Sequence, residues 1–163
     1  MDQDQSISKL AAEYAEWYVQ LHRARPADFR EPLLADLERD PCEGIAEKAQ
    51  WIMTAGGQRA WRFVLATIAC LPDEDDLLAY FGAGDFEYAW SVEENVAPLK
   101  GEIESEVAIN SKLCKVIKGC YPRSQALDDI RDRLIGSPED PFRDIPAGGV
   151  IWPKPKPEGP GGR

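Results

Sequence analysis

Apolar residues recur at helical spacing along most of this chain. In the first such stretch the apolar positions are three or four residues apart and fall on one side of a helix: Leu10, Tyr14, Trp17 and Leu21. The same spacing returns several times before residue 121. The pattern predicts an all-α protein, a compact multi-helix bundle of about seven helices.

The run AWRFVLATIACL at residues 60–71 is apolar nearly all round, as expected for a helix that is surrounded by others. Its content of Val, Ile, Phe and Trp also fits a buried strand, which is the competing interpretation. Its length, its three alanines and the helical pattern on both sides favour a helix. We therefore predict that this run forms the central helix of the bundle.

A long helix is predicted from residue 99 to residue 118. Three glutamates stand near its start and three lysines near its end, which complements both ends of the helix macrodipole: Glu102, Glu104, Glu106, Lys112, Lys115 and Lys118. Gly119 is expected to end this helix, because glycine adopts the left-handed capping conformation at no steric cost. A short helix is likewise predicted to open at Asp28 or Glu31 and to end at Asp40.

A last amphipathic helix is predicted to begin at Ser124, whose hydroxyl can cap it, and to stop at Gly136. Asp129 and Arg133 are one turn apart and are expected to pair. The apolar stripe of this helix is formed by Leu127, Ile130 and Leu134.

The stretch Gly82-Ala83-Gly84-Asp85 has two interpretations, a phosphate-binding loop or the bend between two helices. A phosphate loop follows a strand and carries a Lys or Arg near its end. Here the preceding segment is helical by pattern, and no base lies within ten residues on either side. The stretch is therefore predicted to be a bend, in which the glycines end one helix and Asp85 caps the next.

Composition divides the chain into two parts, a helical domain at residues 1–135 and an extension at residues 136–163. The extension holds seven of the 13 prolines and six of the 13 glycines, so it is predicted to be extended and in part polyproline II. Val150, Ile151 and Trp152 are too apolar for a solvated segment. We expect them to dock in a groove on the helical body, and contact with a partner is the alternative.

The negative charge of the chain is concentrated in residues 73–106. The formal net charge is −10, and this window, with eleven acids and the single base Lys100, accounts for all of it. Such a concentration argues against docking to nucleic acid or to anionic lipid, because their phosphates would be repelled. It favours a basic protein partner.

No catalytic or metal-binding motif stands out in the sequence. The four cysteines form no Cys-x-x-Cys pair, and His22 has no neighbour at zinc-ligand spacing. We interpret the cysteines as reduced packing thiols and His22 as a side chain that bonds the last carbonyls of the first helix. No cofactor and no metal are predicted. The polar start lacks a signal peptide and no apolar run reaches the roughly 18 residues that span a bilayer, so we expect a cytoplasmic protein.

Aromatic side chains are interleaved with the acids of the 73–106 window, as at surfaces that anchor a partner and select its Arg or Lys. The sequence predicts a non-catalytic protein-binding module whose acidic helical face docks a basic partner, concretely an immunity-type or inhibitor protein. The alternative is a small enzyme with a carboxylate-centred pocket that includes His22, although no catalytic residue is assigned. The predicted partner-binding residues are Asp73, Asp75, Asp76, Tyr80, Asp85, Glu87, Tyr88 and Glu94.

Four segments resemble an uncharacterised family of small bacterial helical proteins, a domain of unknown function: YAEWYVQLHRARPADF, AWRFVLATI, LLAYFGAGDFE and EIESEVAINSKLCKVIKGCY. The family pattern has a Trp before a Leu-His pair and a Trp that opens the central helix. The matching positions here are Trp17, Leu21, His22 and Trp61.

The resemblance extends over residues 10–121. A Gly-x-Leu-Glu element of the family is matched by Gly84-Asp85-Phe86-Glu87, and its closing run is matched by Glu104, Glu106, Asn110, Leu113, Gly119 and Tyr121. This chain departs from the pattern at Asp85, where the family has a small residue or Pro, and at Tyr121, where it has Trp. The resemblance implies a helical fold in a bacterial, cytoplasmic setting, and it implies no reaction and no catalytic residue.

Overall fold

The computed structural model describes residues 3–23, 44–121 and 123–136 of the chain. These residues form α1 (Gln3–Arg23), α2 (Ile45–Ala55), α3 (Gly57–Cys70), α4 (Asp75–Phe81), a π-helical segment (Gly82–Trp90), α5 (Glu93–Val96), a 3₁₀ turn (Ala97–Leu99), α6 (Lys100–Val107), α7 (Ser111–Gly119), α8 (Gln125–Ile130) and a π-helical turn (Arg131–Ile135).

The prediction of an all-α fold is confirmed, since the described ranges contain no strand beyond an isolated parallel bridge between Val92 and Arg123. The helix predicted to open at Asp28 or Glu31 lies outside the described residues. The same holds for residues 137–163, and therefore for the predicted docking of Val150, Ile151 and Trp152.

One continuous apolar core joins the helices. The long helix α1 packs on α3, and α3 also contacts α2 and α7. The predicted helix at 60–71 is confirmed as α3, and its side chains Phe63, Val64 and Ile68 are fully buried. It is not surrounded on all sides, however, because Cys70 is exposed and Leu65 is only partly buried.

The predicted helix from 99 to 118 is wrong, because the structure divides it into α6 and α7. The break follows from the side chain of Asn110, which accepts a hydrogen bond from the Leu113 amide at 3.1 Å and caps α7. Asparagine offers the backbone this alternative to a continuing helical bond, so it favours caps over helix interiors. Ile109, in the turn between the two helices, is 82% exposed.

The bend predicted at the glycines is placed differently in the structure. Gly82 has right-handed helical dihedral angles (φ −59°, ψ −49°), so α4 passes directly into the π-helical segment without stopping. The kink lies at Gly84 (φ −105°, ψ −115°). The hydrogen bond that Asp85 accepts comes from the Tyr14 hydroxyl, a long-range contact in place of the predicted cap.

The last predicted helix is confirmed in its first part. Ser124 caps α8, since its hydroxyl oxygen accepts the Leu127 amide at 3.3 Å. The register then changes in the π-helical turn, because a π-turn places an extra residue in each turn. Leu134 consequently leaves the buried stripe and is 46% exposed.

The predicted pair between Asp129 and Arg133 does not form. Asp129 pairs with Lys100 at 3.2 Å, and Arg133 pairs with Glu104. Both contacts join the C-terminal part of the described chain to the region of α6, so the π-helical turn that follows α8 is held beside that helix.

We expect Ser124→Ala to lower the free energy of unfolding by about 1 kcal/mol, because α8 loses its N-cap. The Ser124 hydroxyl also donates to Glu93 at 2.6 Å, so the substitution removes a second bond between α8 and α5. Urea unfolding followed by tryptophan fluorescence measures the change. Ser105→Ala is the matched control, since that exposed hydroxyl bonds only the Gly101 carbonyl of its own helix. A smaller loss at Ser124 than at Ser105 would contradict the capping role.

Candidate partner-binding site

The first four acids of the predicted docking region lie around the start of α4, and three of them have basic partners from other parts of the chain. Lys115 lies 2.8 Å from Asp73 and 2.7 Å from Asp75, and Arg23 lies 3.0 Å from Glu74. The hydrogen bond from Lys115 holds the pKa of Asp73 below its usual range. The charge of this acidic group is therefore offset locally, in contrast to the uncompensated acidic face that the sequence predicts.

Asp85 is tied to the interior of the protein. Its carboxylate accepts a hydrogen bond from the Tyr14 hydroxyl, and the Tyr14 side chain is fully buried between α1 and the rest of the core. Burial, and after it the negative charge of Asp85, raises the pKa of Tyr14. The Asp85 carboxylate would therefore have to give up its hydrogen bond from Tyr14 before it could bind a partner.

Glu87 and Glu93 accept hydrogen bonds from the segment that leads into α8 and from its first turn. Glu87 accepts the Tyr121 amide at 2.9 Å, and Glu93 accepts the Ser124 hydroxyl and the Ala126 amide at 3.3 Å. The Ser124 hydrogen bond, followed by that of Ala126, lowers the pKa of Glu93. These two carboxylates stabilise the packing of α8.

The two predicted tyrosines lie in different environments. Tyr80, on α4, packs against aromatic rings of α1, with its ring centroid 6.0 Å from that of Tyr18 and 5.3 Å from that of His22. Tyr88 is 67% exposed. Five of the predicted residues are exposed, namely Asp73, Asp75, Asp76, Tyr88 and Glu94. Asp73 and Asp75 pair with Lys115, and Asp76, Tyr88 and Glu94 lie on three different elements.

An open groove of about 490 Å³ lies elsewhere on the surface, between α3 and α6. The α3 residues that line it recur at helical spacing, as do the α6 residues that face them, and Ile109 closes one end. The lining is formed by Gln58, Trp61, Arg62, Leu65, Gly101, Glu102, Ser105, Glu106 and Ile109. Apolar side chains of α3, Ile109 at one end and three charged groups thus meet in one concavity.

The groove has an acidic rim. Glu102 accepts a hydrogen bond from the Gln58 side-chain amide across the groove, and Glu106 accepts one from Asn110 at 2.9 Å. Both bonds come from neutral amides, which orient the carboxylates without cancelling their charge. Against these two acids the lining has one base, Arg62. The lining therefore combines a net negative charge with an exposed aliphatic residue, Ile109.

The acids of this groove belong to the window 73–106, but the sequence did not indicate the groove itself. Ile109 lies outside the apolar stripe of the predicted long helix, and the groove exists because α3 and α6 are neighbours in space, which apolar periodicity does not show. One local signal does indicate the turn that forms the end of the groove: Asn110 followed by Ser111 is a typical start of a new helix.

The catalytic alternative receives little support from the geometry. His22 contacts the Tyr80 ring and is absent from the groove lining. Burial raises the pKa of the Cys114 thiol, and it raises the pKa of Cys120 to about 12, so both thiols stay protonated at neutral pH. Within the described ranges, no group of three or more His, Cys, Asp or Glu residues is placed to hold a metal ion.

No helix among the described residues has the length and apolar character needed to cross a membrane. No protein-family model matches this chain, and neither a curated protein nor a solved structure matches it. The resemblance to a family of small bacterial helical proteins therefore stays a prediction.

Proposed function

We propose that this protein is a non-catalytic binding module whose α3–α6 groove takes a basic, partly apolar segment of a partner protein. The observation that carries this proposal is the combination in one concavity of exposed Ile109 with the carboxylates of Glu102 and Glu106. Concave, partly apolar surfaces with a few oriented polar groups are the usual form of a binding site.

The charge of the groove selects the chemistry of the partner. A Lys or Arg side chain that enters between Glu102 and Glu106 gains two charge-assisted hydrogen-bond acceptors. An aliphatic or aromatic anchor beside it would cover Ile109 and Leu65 and remove their apolar surface from water. An acidic partner, or a nucleic acid, would meet repulsion at the same place.

The charge of the whole molecule supports the same partner. With a net charge of −10, the protein attracts a cationic partner over distances comparable to the Debye length and accelerates encounter. Much of this charge is paired locally, as around Lys115, so the groove contributes a specific contact and the rest of the surface contributes steering. An inhibitor or immunity-type protein that neutralises a basic partner is the concrete form of this function.

Substitutions at the apolar and the acidic residues of the groove provide the test. The probe is a fluorescein-labelled amphipathic peptide of leucine and lysine, titrated with the protein and followed by fluorescence anisotropy. We expect Ile109→Ser and the double variant Glu102→Lys/Glu106→Lys each to weaken binding at least about tenfold, equivalent to about 1.4 kcal/mol. Ile109 is mostly exposed, so its substitution should leave the fold intact.

The matched control is Asp76→Lys/Glu94→Lys, which makes the same change in net charge at two exposed acids outside the groove. We expect this control to weaken binding less than about threefold, through the loss of long-range attraction alone. The same peptide with glutamate in place of lysine should not bind. If the control variant weakens binding as much as the groove variants do, the binding is non-specific and the proposal is wrong.

A further inference from the structure

The described chain ends beside α6. Its last described turn, Arg131–Ile135, packs against α6 and α7, and Arg133 pairs with Glu104 on α6. Glu104 itself does not line the groove, which lies on another side of this helix. The residues that follow Gly136 therefore start next to the helix that forms one wall of the groove.

The length of chain beyond Gly136 is sufficient to reach the groove. The stretch from Gly136 to Val150 spans up to about 45 Å when fully extended. The helix α6, with 8 residues, is only about 12 Å long. Residues 150–156 can therefore reach any part of the groove without strain, and closing a loop of this length carries a modest entropic cost.

The chemistry of residues 150–156, VIWPKPK, complements the groove lining. Val150, Ile151 and Trp152 provide apolar anchors, and Lys154 and Lys156 provide two positive charges. Proline at 153, 155 and 157 favours polyproline II, a conformation that loses little entropy when it docks in a groove lined by aromatic and apolar side chains.

The spacing of the charges also agrees. In polyproline II, positions 154 and 156 are separated by about 6 Å along the axis, from a rise of about 3.1 Å per residue. Positions 102 and 106 are one turn apart on α6 and are likewise separated by about 6 Å. Each lysine can therefore meet one carboxylate while Trp152 reaches the apolar part of the groove near Ile109.

We propose that residues 150–156 of this same chain occupy the α3–α6 groove and compete with the partner segment for it. This inference rests on the proposed function for its consequence, since the segment then acts as an internal competitor that a partner must displace. An attached segment acts at an effective concentration in the millimolar range, so even a weak contact keeps the groove largely filled. Partners with stronger anchors or more positive charge would displace it.

Photo-crosslinking in the full chain tests the location. The variant Trp152→p-benzoylphenylalanine is irradiated, digested and analysed by mass spectrometry. We expect crosslinks to the peptides that contain Gln58, Leu65 or Ile109, with a yield that does not change over a tenfold dilution, because the contact is intramolecular. Tyr121→p-benzoylphenylalanine is the control, since Tyr121 is 64% exposed and is absent from the groove lining. Crosslinks to other parts of the body, or a yield that falls with dilution, overturn the inference.

Competition provides the second readout. We expect Lys154→Glu/Lys156→Glu to bind the leucine–lysine peptide at least about fivefold more tightly than the unchanged protein does, because the internal competitor is lost. Unchanged affinity in this variant also counts against the inference.

The two proposals fail in distinguishable ways. If the crosslinks miss the groove while Ile109→Ser still weakens peptide binding, residues 150–156 do not occupy it and the binding function stands. If the crosslinks reach Ile109 while the peptide binds no more weakly to the groove variants, the segment occupies the groove and the proposed partner site is wrong.

Discussion

Gly119→Ala is expected to lower the free energy of unfolding by about 3 kcal/mol, because α4 and α7 are in backbone contact at this position. A Cβ atom on Gly119 would lie 2.5 Å from both the Cα and the carbonyl oxygen of Ala79. Neither atom belongs to a flexible side chain, so the two helices would have to move apart. That movement would loosen the packing of the core residues Leu78 and Phe81 on α4.

Gly82→Ala should have an effect of the same size, for the reciprocal reason. Its Cβ would overlap the carbonyl oxygen of Val116 and would lie 3.3 Å from the Cys120 amide nitrogen. The two glycines therefore face each other's helices and create one close crossing. We expect the double variant to cost less than the sum of the single variants, because both force the same displacement.

Gly101→Ala is the matched control for these two substitutions. Gly101 also lies in a helix, α6, but no atom lies within 4 Å of the position its Cβ would take. Alanine should therefore stabilise the protein by about 0.5 kcal/mol through its higher helix propensity. Urea unfolding of all three variants gives the comparison. Equal stability of Gly119→Ala and Gly101→Ala would show that the crossing of α4 and α7 is looser than the structure indicates.

These glycines also show what sequence can and cannot predict. Gly82 and Gly119 are interpreted from the sequence as helix ends, since glycine commonly marks such positions. Gly119 is indeed the last residue of α7, but its lack of a side chain also allows the backbone of Ala79 to approach closely. Gly82 has right-handed helical dihedral angles, and the chain continues through it into the π-helical segment. A close crossing depends on which helices are neighbours in space, and that information is not local in the sequence.

Apolar periodicity, in contrast, is local, and it correctly predicts that α1 and α3 are helices. It is less accurate for the buried face of α1, since Tyr14 is buried whereas Leu10, Trp17 and Leu21 of the predicted stripe are only partly buried. Periodicity fails where a side chain competes for backbone hydrogen bonds. Asn110 caps a new helix inside a stripe that otherwise continues, so α6 and α7 replace the single helix predicted from 99 to 118.

The acidic window illustrates a second limit. Its charge can be counted from the sequence, but the pairing of that charge cannot, because Arg23, Lys115 and Arg133 come from outside the window. Only folding brings them to Glu74, Asp73 and Glu104. A surplus of negative charge in sequence therefore predicts the sign of a partner better than it predicts the position of the binding site.

Tyr14→Phe is expected to change how stability depends on alkaline pH. At neutral pH the substitution should cost about 2 kcal/mol, because Asp85 loses the phenol that donates to it. Burial, and then the charge of Asp85, raises the pKa of Tyr14 above its usual value, so the folded protein keeps a phenolic proton that the unfolded chain releases at about pH 10. The folded state then binds more protons, and stability falls as pH rises.

The slope of this loss follows from linkage. Above about pH 10, the stability that Tyr14 contributes should fall by about 1.4 kcal/mol per pH unit. The advantage of the unchanged protein over Tyr14→Phe is therefore fully present below pH 10 and should disappear by about pH 12. Burial also raises the pKa of Cys120, which adds its own alkaline loss to both proteins equally and cancels in the comparison.

Urea unfolding at pH 8, about pH 10 and about pH 11.5 gives the free energy of unfolding of the unchanged protein and of Tyr14→Phe as a function of pH. Tyr88→Phe is the matched control, because that residue is 67% exposed. Converging curves for Tyr14→Phe, and parallel curves for the control, are the expected result. If Tyr14→Phe stays parallel to the unchanged protein across this range, the Tyr14 phenol is reached by solvent in the folded state. The bond to Asp85 would then be a surface contact, and Asp85 would again be available to a partner, as the sequence predicts.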